Sequence, residues 1–126
     1  TMKHLMPVLL AFGLILSLSA PLAAQCMDVS NGSFIVALSG SVDGQAKGLE
    51  IGGLLKVKDG AVSGDVEVAG EGARTVAGTV SASKCKGDLV LEITGRKYTL
   101  KVFIGADSAV LVGRDDYRPV GGTLKR

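Results

Sequence analysis

Asp88-Leu89-Val90-Leu91-Glu92-Ile93-Thr94-Gly95-Arg96-Lys97-Tyr98-Thr99-Leu100-Lys101-Val102-Phe103-Ile104 is the stretch that decides the fold of this chain. Leu89, Leu91 and Ile93 share one parity. Beyond Thr94-Gly95, Tyr98, Leu100, Val102 and Ile104 do the same, opposite Lys97, Thr99 and Lys101. Side chains of a β-strand alternate between two faces, so each run has one apolar and one polar side. Two such runs joined by a short glycine turn read as an antiparallel hairpin.

The same rhythm runs outward in both directions. It predicts eight strands: Ser33–Ser39, Leu49–Val57, Ala61–Val68, Arg74–Ala82, Asp88–Ile93, Lys97–Ile104, Ala109–Gly113 and Val120–Lys125. Turns are expected at Asp43-Gly44, Lys58-Asp59-Gly60, Gly70-Glu71-Gly72, Lys86-Gly87, Thr94-Gly95, Gly105-Ala106-Asp107 and Arg114 to Pro119. Short connections make successive strands antiparallel neighbours. The fold class is therefore all-β, a single up-and-down meander of about eight short strands. Phe34, Val36 and Leu38, and Val62, Val66 and Val68, continue the apolar face, and closure into a barrel would remove exposed strand edges.

A small unit recurs within the strands, with glycine between aliphatic residues. It appears as Ile51-Gly52-Gly53-Leu54-Leu55, Val62-Ser63-Gly64-Asp65-Val66, Val76-Ala77-Gly78-Thr79-Val80 and Val120-Gly121-Gly122-Thr123-Leu124. The inward glycines, Gly53, Gly64, Gly78 and Gly122, have two compatible readings. They let strands bend at barrel corners, or they leave interior room for a ligand.

The strands follow an address. Met2-Lys3-His4, an apolar run from Leu5 to Leu18 and the exit Ser19-Ala20-Pro21-Leu22-Ala23-Ala24 have the order of a secretory signal peptide. The expected division is 1–24 leader and 25–126 barrel domain, secreted or periplasmic, with no stable membrane anchor after cleavage. Two alternatives stand beside it: an uncleaved anchor, and a lipoprotein acylated at Cys26. Export of a small domain with two cysteines predicts one disulfide, Cys26 to Cys85, both at one end of the meander.

Charge and composition narrow the chemistry. The 126 residues carry 14 Lys+Arg against 12 Asp+Glu. Such a balance lacks the basic stripe of a nucleic-acid binder. The only histidine is His4, in the leader, so a mature chain would have no imidazole for proton transfer or metal ligation. No Gly-x-Ser-x-Gly elbow occurs, and Asp65 and Glu67 point outward on their strand, unlike an acid pair facing a cleft. The expectation is a non-enzyme with no cofactor and no metal site.

Gly32-Ser33-Phe34 opening the first strand, eight meandering strands and Lys125-Arg126 closing the last resemble the lipocalin-like, or calycin-type, barrels. The resemblance places Phe34 where those proteins carry a tryptophan, with Lys125 or Arg126 as its basic partner. Independently of it, the inner face, with large apolar groups beside the inward glycines, suits a small apolar or amphipathic ligand inside the barrel. The lining would be Phe34, Leu38, Leu91, Tyr98, Leu100 and Val102, with Arg114, Tyr117 and Arg118 holding a polar head at the mouth. Arg114-Asp115-Asp116-Tyr117-Arg118 also reads simply as a solvated charged loop. Thr94-Gly95-Arg96-Lys97-Tyr98 is similar to the inhibitory loop of small periplasmic lysozyme inhibitors. That resemblance implies an interaction protein of the cell envelope, with no ligand cavity and a protein partner unknown.

Overall fold

The computed structural model of the chain describes residues 25–40 and 48–126. The 1–24 leader and the Asp43-Gly44 turn lie outside the described residues.

Eight antiparallel strands form a closed barrel in sequence order, β1 (Gly32–Gly40), β2 (Leu49–Lys58), β3 (Ala61–Val68), β4 (Gly72–Ser83), β5 (Lys86–Ile93), β6 (Arg96–Ile104), β7 (Ser108–Arg114) and β8 (Pro119–Lys125). β8 pairs back onto β1, with Val36 opposite Leu124 and Leu38 opposite Gly122. No strand edge is left free in the barrel. The hairpin around Thr94-Gly95 has the expected register, with Leu91 opposite Tyr98 and Leu89 opposite Leu100.

Three connections are two-residue loops, Asp59-Gly60, Lys84-Cys85 and Thr94-Gly95, and all six residues have positive φ. This is the geometry of a type I′ turn, whose twist matches that of the strands. One expected turn is displaced. Lys86 and Gly87 belong to β5, and the reversal falls on Lys84 (φ 54°) and Cys85 (φ 66°). A glycine marks the favourable place for positive φ, but here the bond from Cys85 to Cys26 holds a non-glycine pair in the turn.

Inward positions form one core. Phe34, Val36, Leu55, Leu89, Leu91, Ile93, Tyr98, Leu100, Val102, Ala109 and Leu111 are all buried, while Ile104 packs at its margin. The inward glycines lie where a neighbouring strand crosses closely. A Cβ on Gly78 would run into the Val90 carbonyl oxygen, and one on Gly122 into that of Ala37. Gly53, Gly64, Gly87 and Gly113 meet neighbouring carbonyls in the same way. The corner reading of these glycines is therefore the physical one. Backbone of the neighbouring strand stands where each Cβ would lie.

Candidate functional site

The six lining residues expected from the sequence do converge. Leu91 lies opposite Tyr98 and Gly78, Val102 opposite Leu111, and Phe34 opposite Leu55. Phe34, Leu38, Leu91, Tyr98, Leu100 and Val102 are each at most 3% exposed. They pack on one another and on the inner valines of β2 to β4.

The end that carries the chain's N-terminal segment is stoppered. Cys26 is bonded to Cys85, with their Cα atoms 5.5 Å apart. Met27 and Val29 then enter the core as buried side chains. Their segment is held by backbone bonds, Met27 N–H donating to the Gly105 carbonyl at 2.9 Å and Gly60 N–H to the Ser30 carbonyl at 3.0 Å. The Asp59 amide donates to Asn31 Oδ1 at 3.0 Å. The stopper was missed by sequence reasoning, although Met27 and Val29 alternate around Asp28 like a short strand.

At the opposite end the expected polar group divides. Asp115, the residue not singled out, is its centre. The residue is 3% exposed; Oδ1 accepts the amides of Tyr117 and Arg118, both at 2.8 Å, and Oδ2 accepts Arg118 Nε at 3.1 Å. An aspartate that binds the amides two and three residues on is a self-contained turn, so the loop is built by its own side chain. Burial pushes this carboxyl up, but the two amides and the Arg118 guanidinium outweigh it and leave it below its ordinary 3.8. Arg118 is thus engaged within the loop. Arg114 Nε donates to the Asp115 carbonyl at 3.3 Å, and Tyr117 stands 82% exposed. These three do not form a collar around an opening into the core.

Tyr98 sits beneath this loop. Burial raises its hydroxyl above the ordinary 10.0, against the opposing influence of Arg96. The basic partner expected for Phe34 is not Lys125, which lies outward opposite Ile35 in the β1–β8 ladder while Phe34 points inward.

The outside is uneven. Ile35, Leu54, Phe103, Val110 and Val112 are exposed apolar side chains on β1, β2, β6 and β7, with Lys86 Nζ 5.6 Å from the centre of the Phe103 ring. Two clefts lie at the Ser39–Glu50 end of the barrel, one of about 660 Å³ reaching from Ala37 and Gly52 past Leu38, Ile51 and Val68 to Gly70, the other of about 640 Å³ bordered by Glu50, Val112 and Gly121. Elsewhere charged and hydroxylated side chains alternate with outward Ala61, Ala77 and Val90, and Lys101 pairs with Asp88 and Arg96 with Glu71. Among the described residues, no group of three or more His, Cys, Asp or Glu is placed to hold a metal ion.

No family model matches the sequence, and no curated protein matches it. Solved structures do. A de novo designed fluorescence-activating β-barrel matches with a TM-score of 0.64 at 12% identity, covering 79% of this chain and 98% of the design. A redesigned β-barrel bound to the dye DFHBI matches with a TM-score of 0.61 at 13% identity, covering 77% and 94%. A second redesigned barrel gives 0.61 at 16% identity, covering 77% and 90%. The likeness is one of fold. It extends over 90% to 98% of the length of those barrels.

Proposed function

We propose that this chain is an exported, disulfide-stapled β-barrel of the periplasm or extracellular space that acts through its outer surface, as an interaction protein and not as an enzyme. The observation that carries this reading is the filled interior. The residues that would line a ligand slot are packed as core, the inward glycines are covered by neighbouring backbone, and Met27 and Val29 stopper one end. An eight-stranded barrel is about the size at which its own side chains can fill it. The Cys26–Cys85 bond supports an oxidising compartment. The absence of histidine after His4 and the pairing of both cysteines argue against imidazole and thiol chemistry.

A second reading keeps the lipocalin-like resemblance and a small apolar ligand. It is favoured by one observation, that a barrel of the same fold is bound to a dye. Native mass spectrometry of the protein purified from its exported fraction, with displacement of a fluorescent fatty-acid probe, separates the two. The surface reading expects the apo mass and no saturable probe binding. A co-purifying apolar molecule, or stoichiometric probe binding, overturns it and establishes the ligand reading.

A further inference from the structure

We propose that the outward face of β6, β7 and β8 adsorbs to the surface of an anionic phospholipid bilayer. This deepens the surface reading and rests on it.

Val110 and Val112 on β7 are 52% and 53% exposed, and Phe103 on β6, the ladder partner of Val110, is 46% exposed. Together they make an apolar ridge, and the charges bordering it are basic. Lys86 of β5 lies opposite Phe103, with Nζ 5.6 Å from the ring centre, and Lys101 lies opposite Val112. Arg114 follows Val112 on the outward face of β7. Lys125 stands opposite Ser108, next in parity to the Thr123 that faces Val110. Lys97, Lys101, Arg114 and Lys125 are the charged outward side chains of these three strands, and none of them is acidic. The flanking acids are placed elsewhere or engaged. Asp88 of β5 is ion-paired to Lys101, and Glu92 lies opposite Lys97, beyond the ridge. Asp107 and Asp116 lie in the connections past the two ends of β7.

The other exposed apolar pair has a different border. Leu54, beside Ile35, has Asp65 on its far side, and the neighbouring Gly52 has Glu67. The charge pattern therefore selects β6 to β8, not β1 to β3, as the face that complements an anion.

A bilayer suits this face better than a folded partner. Each ridge residue exposes only about half its surface, so the three fall far short of the ~800 Å² per partner of a standard protein interface. β7 is the crest of a convex wall from which β6 and β8 fall away, so a rigid partner would need a matching groove. A fluid lipid surface needs none. The valines and Phe103 enter between headgroups, while Lys86, Lys101 and Lys125 lay their stems along the apolar region and carry their ammonium groups to the phosphates.

Flotation of the mature chain with vesicles of phosphatidylcholine, alone or with about 30% phosphatidylglycerol, tests this. Affinity for the anionic vesicles should be at least about tenfold higher, and should fall as salt rises from ~0.05 to ~0.5 M. K86E and K125E should each weaken it about fivefold or more. V110T/V112T keeps side-chain shape and strand preference, and should weaken it about fivefold or more with an unchanged melting temperature. K56E makes the same charge change on β2, away from the ridge, and should alter it less than about twofold. Equal binding to both vesicles, binding to neither, indifference to V110T/V112T, or an equal loss in K56E and K86E overturns the proposal. So does poly-glutamate that binds more tightly than the anionic vesicles, which would assign the face to an acidic polypeptide. The interior-probe measurement is made without vesicles and is untouched by these results, so the two readings fail separately.

Discussion

Gly121 and Gly122 are neighbours in β8 that predict opposite responses to the same methyl group. Gly122 points inward, opposite Leu38, and a Cβ there would collide with the Ala37 carbonyl oxygen while standing 2.8 Å from Ala37 C and 2.9 Å from Leu38 Cα. All three neighbours are backbone, inside the 3.0 Å that real Cβ contacts respect. Relief therefore requires β1 and β8 to separate at the seam that closes the barrel. Overpacking that forces backbone movement costs about 1–3 kcal/mol or more, and weakened ladder bonds at the seam bring the expectation for G122A to about 3–4 kcal/mol. Gly121 points outward, and its Cβ would find the Leu111 carbonyl oxygen at an ordinary 3.5 Å. G121A should be neutral or stabilising by up to about 1 kcal/mol, because alanine restricts the unfolded chain. Urea unfolding of both variants and the parent reads the contrast directly. A loss of 3 kcal/mol corresponds to a melting shift on the order of 15 °C for a domain of this size. Equal stability of the two variants would refute the corner account, and with it the claim that backbone fills the space above the inward glycines.

Other expectations follow from the two ends of the barrel. Reducing the Cys26–Cys85 bond, which spans 59 residues, should cost about 4 kcal/mol by the chain-entropy model, measured as unfolding with and without reductant; an unchanged midpoint would mean the stopper holds without its staple. D115N should cost about 1–3 kcal/mol through lost charge-assisted bonds to the loop amides and Arg118. Since the folded Asp115 carboxyl lies below its ordinary 3.8, its contribution is complete above that value and is lost as pH falls through the lower folded value. D115N should flatten that acid limb of a stability–pH curve, and an unaltered limb would assign it to other groups. The raised Tyr98 hydroxyl gives the reverse case, with stability intact below 10.0 and lost as pH rises through the folded value. A late phase of phenolate absorbance should coincide with alkaline unfolding and vanish in Y98F; independence of the two transitions would contradict burial of the hydroxyl.

The barrel was legible because period-two alternation survives in every strand, and because Asp59-Gly60 and Thr94-Gly95 carry the turn chemistry that a tight hairpin requires. What escaped depended on contacts between distant parts of the chain. Lys84-Cys85 is a poor local choice for a type I′ turn and becomes intelligible only with Cys26 beside it. Gly87 and Gly113 sit outside the aliphatic-glycine repeat, yet close the same kind of corner as Gly78. The stopper was hidden because Met27 and Val29 are too few to show a period. Asp115 looked like one of four exposed charges, whereas its role comes from burial and from amides two and three residues away. For the lining residues, parity alone placed Phe34, Leu38, Leu91, Tyr98, Leu100 and Val102 together. Whether a lined space is open depends on backbone separations of an ångström or two, which alternation does not encode.

Methyl-resolved NMR during titration with a medium-chain fatty acid tests most directly the claim that this barrel is packed within and acts from its outside. The account predicts that the methyls of Leu38, Leu91, Leu100 and Val102 keep their positions to the end of the titration. Saturable shifts confined to those inner methyls would show a slot inside the barrel and contradict it.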